Sequence, residues 1–204
     1  MDASASEPED GDVIERIAAL YREHGSRPYD GGRRESVTAL EHALQCAQLA
    51  EWAGAEPSLV AAALLHDIGD FITPTSDTDD NRHELRAQEV LGDGFGPEVL
   101  EPIRLHVAAK RYLVATDADY AAKLSPASQL SLSLQGGPMT AEERQRFEDE
   151  DFAPQALLLR RWDDAAKTPG KQTPSLDYYL VLLQELREQR RPARRRTVVG
   201  ALDA

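Results

Sequence analysis

The chain has 204 residues, 41% of them hydrophobic, and a formal net charge of −13. That is enough apolar material for one domain with a packed core, and it excludes a disordered chain. The acidic balance argues against broad binding to nucleic acid or anionic lipid, which need a basic surface, and the single cysteine, Cys46, excludes an internal disulfide.

Residues 1–12 are small and acidic and read as a disordered tail. Residues 13–24 are amphipathic, with Ile14, Ile17 and Tyr21 at helical spacing. His24 closes that helix beside Gly25, where a cation meets the helix dipole, and stays outside the metal set developed below. A loop from Gly25 to Arg34 leads to a second helix, from about Ser36 to Ala53, which stops at Gly54. A third is expected from about Pro57 to Ile68, with Gly69 as its stop. Its AAALL run is apolar nearly all round, which predicts a central, buried helix. The polar residues 72–80 form a loop that could cover a site. Helices follow over 83–91, 98–113 and 117–124, then a linker and the stretch SPASQLSLSLQGG, then helices over 140–149, 154–167 and 178–189. No strand-rich region and no repeat interrupts them. The expected fold class is all-α, one helical domain over 13–189. Residues 190–204 form a basic tail, and Arg187, Arg190, Arg191, Arg194, Arg195 and Arg196 read as a solvated helix end. The N-terminus lacks a signal-peptide pattern, and no run approaches the roughly 20 apolar residues of a membrane span. A cytoplasmic protein with no nucleic-acid or membrane partner is expected.

Four histidines on helical segments stand out: His42, His66, His83 and His106, with Asp67 directly after His66. One buried histidine is ordinary packing; four with a carboxylate are hard to explain that way. Imidazole and carboxylate together suit iron, zinc, manganese or nickel. His66 and Asp67 point about 100° apart on a helix, so both can reach an ion beyond its end. A carboxylate has two oxygens and can bridge two ions, which makes a two-metal site the natural reading. Asp163 and Asp164 are candidates for a further carboxylate. Cys46 shares a helix face with His42 and reads as a small core side chain in preference to a thiolate ligand. Lys110 lies one turn after His106, and Arg160 three residues before Asp163. Both cations beside a metal would favour a phosphate, phosphonate or carboxylate ligand, although Lys110 reads equally as a surface lysine. No Walker A loop, GxGxxG, GxSxG or paired CxxC is present.

A histidine, a later His-Asp pair in LLHDIGD and further histidines resemble the HD-domain superfamily. EHALQCAQLAEWAGA, LVAAALLHDIGD, HVAAKRYLVATDADYAAKLSPASQLSLSLQGGPM and RRWDDAAK extend the match. Together they resemble the HD-domain mixed-valence di-iron oxygenases of phosphonate catabolism, over roughly residues 35–168. The resemblance implies an HD-type helical bundle holding two irons, Fe(II)/Fe(III), with dioxygen as co-substrate. It implies that His42, His66, Asp67 and Asp163 hold the first iron, with Asp67 bridging, and that His83 and His106 hold the second. Asp67, His83 and His106 would flank the oxygen chemistry, and Lys110, Ser128 and Arg160 would grip a phosphonate. The implied reaction cleaves the C–P bond of a 1-hydroxy-2-ammonio-ethylphosphonate. It gives phosphate and glycine, or glycine betaine from the trimethylated substrate, which is slightly favoured. Asp70 stands where the primary-amine member carries histidine, and could face an ammonium head. Glu35 and Tyr29 correspond to a mobile glutamate and tyrosine over the iron, at longer spacing here. The alternative is a metal-dependent HD-domain phosphohydrolase acting on a phosphoester or nucleotide.

Overall fold

The structure is a computed structural model that describes residues 12–29, 36–72 and 82–190. Among them the helices are α1 (Val13–His24), α2 (Ala39–Trp52), α3 (Pro57–Leu65), α4 (His83–Leu91) and α5 (Pro97–Thr116). Then come α6 (Ala118–Lys123), α7 (Pro126–Leu134), α8 (Ala141–Glu148), α9 (Ala153–Ala165) and α10 (Leu176–Arg190). The described residues contain no strand, only an isolated antiparallel bridge between Pro28 and Thr38. The fold is all-α, as expected.

Helix α3 is the axis of the core. Every residue from Leu59 to Leu65 is buried, and α2, α5, α9 and α10 pack around it. Its three alanines let those neighbours approach closely, while Leu64 and Leu65 fill the remaining volume. Replacing either leucine by alanine would cost about 2–5 kcal/mol. The hydroxyl of Tyr21 on α1 donates to the Leu64 carbonyl, which ties the first helix to this axis.

Several boundaries differ from expectation, each for a local reason. Helix α2 starts at Ala39 and not near Ser36, because Thr38 accepts from the Glu41 amide while Glu41 accepts from the Thr38 amide. Helix α3 ends at Leu65, short of Ile68. His66 and Asp67 form a turn, and a 3-10 turn follows over Ile68–Phe71. Gly69 serves close approach there: a Cβ would meet the His83 carbonyl oxygen at 2.1 Å. That contact seats the His66–Asp67 turn against the start of α4. The SPASQLSLSLQGG stretch, without an expected element, carries helix α7, with Pro126 in its first turn and Ser125 as cap, accepting from the Ser128 amide.

The end of α10 is exposed over residues 188–190, as expected, and is also tied at two points. Arg187 pairs with Asp12, and Arg190 donates to the Phe95 carbonyl. Arg191, Arg194, Arg195, Arg196, Glu35, the acidic residues 1–11 and the polar residues 73–81 lie outside the described residues. No helix among the described residues is long and apolar enough to cross a membrane.

Candidate active site

Five elements deliver six side chains to one place. His42 comes from the first turn of α2, His66 caps α3, and Asp67 follows it in the turn. His83 opens α4, His106 lies in the middle of α5, and Asp163 sits in the last turn of α9. Asp67 divides them into two groups. Its Oδ2 lies 3.2 Å from His66 Nε2 and 3.6 Å from His42 Nε2. Its Oδ1 lies 3.3 Å from His83 Nε2 and 3.6 Å from His106 Nε2. Asp163 joins the first group, at 3.4 Å from His42 and 3.9 Å from His66.

The proton inventory fits a cation. His42 Nδ1 faces the Ala166 carbonyl at 3.0 Å, His66 Nδ1 the Ala63 carbonyl at 2.9 Å, and His106 Nδ1 the Ile103 carbonyl at 2.7 Å. A carbonyl only accepts, so each Nδ1 carries the proton and each Nε2 presents a lone pair. Yet His42 Nε2 and His66 Nε2 are 3.3 Å apart, and His83 Nε2 and His106 Nε2 are 3.0 Å apart. The facing lone pairs of His42 and His66 need something positive between them, a proton or a metal ion, and His106 offers its lone pair to the His83 proton or to an ion in the same way. Backbone carbonyls orienting the far ring nitrogen are the usual outer support of metal-binding imidazoles. The donor set therefore fits one ion on each side of Asp67.

The charges agree. Burial alone would raise the Asp67 carboxyl, but the His66 and His83 imidazoles outweigh it and hold it well below the usual carboxylate range. Burial opposes Asp163 in the same way and is overcome first by the Arg160 guanidinium, then by His42 and His66. Burial disfavours a proton on His83, yet the carboxylates of Asp70, Asp67 and Glu84 push it up to about 10. Without an ion, a proton occupies the position a metal would take. Cys46 lies 3.6 Å from His42 Nε2, but burial and the Asp163 and Asp67 charges push its thiol up. It packs in the core as a neutral side chain.

Tyr29 covers the first group. Its ring stacks on His42 with centroids 3.9 Å apart, and its hydroxyl reaches Asp67 Oδ2 at 3.2 Å and Asp163 Oδ1 at 3.4 Å. The cationic groups gather behind Asp163. Arg160 contacts Asp163 at 2.6 Å and also grips Asp164. Asp164 thus turns away from the imidazoles and accepts from Tyr120 at 2.5 Å and Ser128 at 3.4 Å. Lys110 is 2% exposed, so it is not a surface lysine. Its Nζ donates to Ser131 Oγ at 2.8 Å. Burial, then the Arg160 charge, lowers it to about 7.

Asp70 Oδ1 lies 4.0 Å from His83 Nδ1, on the outer side of the second group. His24 meets the Phe71 ring away from the cluster. Sequence reasoning missed Lys167 and the support of His42 by Ala166, both just past α9. The AAK ending of RRWDDAAK was the only available signal.

The HD domain family matches residues 39–165. The chain is 46% identical over 175 residues to hydroxymethylphosphonate dioxygenase of Gimesia maris, covering 83% of this chain and 85% of that protein. It is 39% identical over 181 residues to the glycine-betaine-forming 1-hydroxy-2-(trimethylamino)ethylphosphonate dioxygenase of Leisingera caerulea, covering 86% and 91%. An uncharacterized protein of Acanthamoeba polyphaga mimivirus is 38% identical over 179 residues, covering 84% and 80%.

Proposed function

The chain belongs to the HD-domain family of phosphonate dioxygenases, and from that premise we propose that it cleaves the C–P bond of a 1-hydroxyphosphonate using two irons and dioxygen. The observation that carries this reading is Asp67, whose two oxygens each face a separate imidazole pair, beside a buried lysine and arginine. Both named relatives act on phosphonates with a hydroxyl on the carbon bonded to phosphorus. The net reaction converts RCH(OH)PO3(2−) and O2 into RCOOH and HPO4(2−). The substrate supplies every electron that dioxygen takes up, so no external reductant is needed.

His42, His66, Asp67 and Asp163 would hold one iron; Asp67, His83 and His106 would hold the other. When bound, the irons supply the redox chemistry that lets dioxygen attack the hydroxylated carbon. The protein's own groups bind and orient. Lys110, Ser128 and Arg160 take the phosphonate, Arg160 by its charge, since its planar fork already holds Asp164. The Tyr29 hydroxyl occupies Asp67 and Asp163 and has to yield as substrate enters. Burial of His42, His66, His106, Lys110 and Arg160 keeps bulk water from the reacting carbon. One domain over 13–189, a cytoplasmic location, and no nucleic-acid or membrane partner belong to the same reading, on the acidic charge and the lone cysteine.

The favoured substrate is 1-hydroxy-2-(trimethylammonio)ethylphosphonate, giving glycine betaine, with the Asp70 carboxylate opposite the ammonium and Glu35 as a second acidic group. A second reading is hydroxymethylphosphonate, giving formic acid. The 46% identity to hydroxymethylphosphonate dioxygenase favours it. The test is anaerobic reconstitution with ferrous iron, then oxygen exposure with each hydroxyphosphonate, the primary amine included, following phosphate and the organic acid. Phosphate with oxygen uptake supports the reading, and the organic acid identifies the substrate. No phosphate from any of them, or phosphoester hydrolysis without oxygen uptake, ends it.

A further inference from the structure

We propose that Lys167 is a further phosphonate-binding residue, which completes the cradle of Ser128, Lys110 and Arg160 and links it to Tyr29. The inference rests on the reading of the site as a phosphonate site. Its Nζ donates to Ser128 Oγ at 3.3 Å, the hydroxyl that already faces Asp164. The same ammonium lies over the Tyr29 ring, 5.6 Å from its centroid.

Charge balance gives this lysine a role. A phosphonate carries up to two negative charges, and the cradle has to match them. Arg160 is already paired with two carboxylates, Asp163 and Asp164. Lys110 is buried beside Arg160, and its charge is only partly retained near neutrality. A third cation, reaching the same serine, adds to these two.

The position of Lys167 is held from both sides. Its neighbour Ala166 accepts from His42 Nδ1 at 3.0 Å. Its other neighbour, Thr168, exchanges two hydrogen bonds with fully buried Gln45 on α2, both 3.0 Å. The backbone that presents the ammonium is therefore fixed to the helix that presents His42, so little ordering remains to be done on binding. The contact with Tyr29 adds a consequence. A phosphonate arriving at Ser128 draws the ammonium from the tyrosine ring, which removes one contact holding that hydroxyl on Asp67 and Asp163.

The test uses the full-length, iron-loaded protein and the variants Lys167→Gln and Lys167→Arg. Iron per chain, kcat and KM for phosphate release, and methylphosphonate binding by anaerobic calorimetry are measured for each. Lys167→Gln should keep its iron and raise KM by about ten- to a hundredfold, with methylphosphonate affinity falling in parallel. Lys167→Arg should stay within a few-fold of the parent. Unchanged KM and methylphosphonate affinity in Lys167→Gln would overturn the assignment. So would a loss of iron accompanying the loss of affinity, which marks a structural role. If the parent protein releases no phosphate from any hydroxyphosphonate, the reaction proposed above fails, while methylphosphonate affinity still decides the role of Lys167.

Discussion

Arg160 donates to Asp163 across 2.6 Å, from three residues earlier on the same helix. One guanidinium thus supports a metal-ligand carboxylate and lies within the proposed anion cradle. Arg160→Gln should therefore weaken both functions. Iron affinity should fall by about ten- to a hundredfold, the usual cost of losing an outer-shell partner, and KM should rise. Arg160→Lys should fall between, since it keeps the charge and loses the fork. Metal analysis alongside steady-state kinetics measures both effects; full iron occupancy in Arg160→Gln would separate Arg160 from the metal site.

Asp67 is the one side chain that both imidazole pairs share. Asp67→Ala should empty both iron positions, whereas Asp163→Ala should affect only the first. Iron per chain, measured after anaerobic loading and desalting, checks this. An Asp67→Ala protein that retains its full complement would show that the bridging assignment is mistaken.

Lys110 yields a pH prediction with a definite sign. Burial, then the Arg160 charge, lowers it to about 7, so in the free protein the ammonium is present below that pH and lost above it. Because the phosphonate needs the ammonium, kcat/KM should fall as pH rises through about 7. Lys110→Met should keep its iron, bind substrate weakly and flatten that limb. In the unfolded chain the lysine holds its proton up to its ordinary value of 10.5. Between these values the unfolded state binds more protons, so the Lys110 contribution to stability rises with pH. Lys110→Met should accordingly raise the melting temperature of the metal-free protein most below pH 7 and least near pH 10.

His83 works in the opposite direction. Its raised pKa, about 10 against an ordinary 6.5, stabilises the metal-free fold fully below 6.5. That contribution is lost as pH climbs to 10. A metal takes the place of that proton, so loading releases protons and weakens as pH falls. Adding ferrous iron without oxygen should raise the melting temperature more at pH 8 than at pH 6. Equal shifts at both would contradict proton displacement.

Much of this site was legible before any coordinates. His42, His66, Asp67, His83 and His106 announce themselves because apolar helices rarely need so many imidazoles, and the AAALL run marks the buried axis that leads into His66 and Asp67. The capping box at Thr38 and Glu41 was readable too, but Ser36 just before it offered a competing cap and obscured the helix start. Helix α7 was hidden by its serines, which favour caps and turns over helix interiors. Burial of Lys110 follows from the long packing of α5 against α9, a tertiary fact that no local pattern encodes. The same holds for Gln45 with Thr168: their 123-residue separation gives a sequence reader no reason to pair them.

The carbonyl of Ala166 orients the imidazole of His42 across 124 residues of chain. A nascent polypeptide emerges from its N-terminus, so the first imidazole pair exists long before Asp163 and Ala166 leave the ribosome. The first metal position is then finished only after most of the protein has been made. Metal capture there becomes a late event of biosynthesis, and a chain released early would carry all four site histidines without a complete place for its ion.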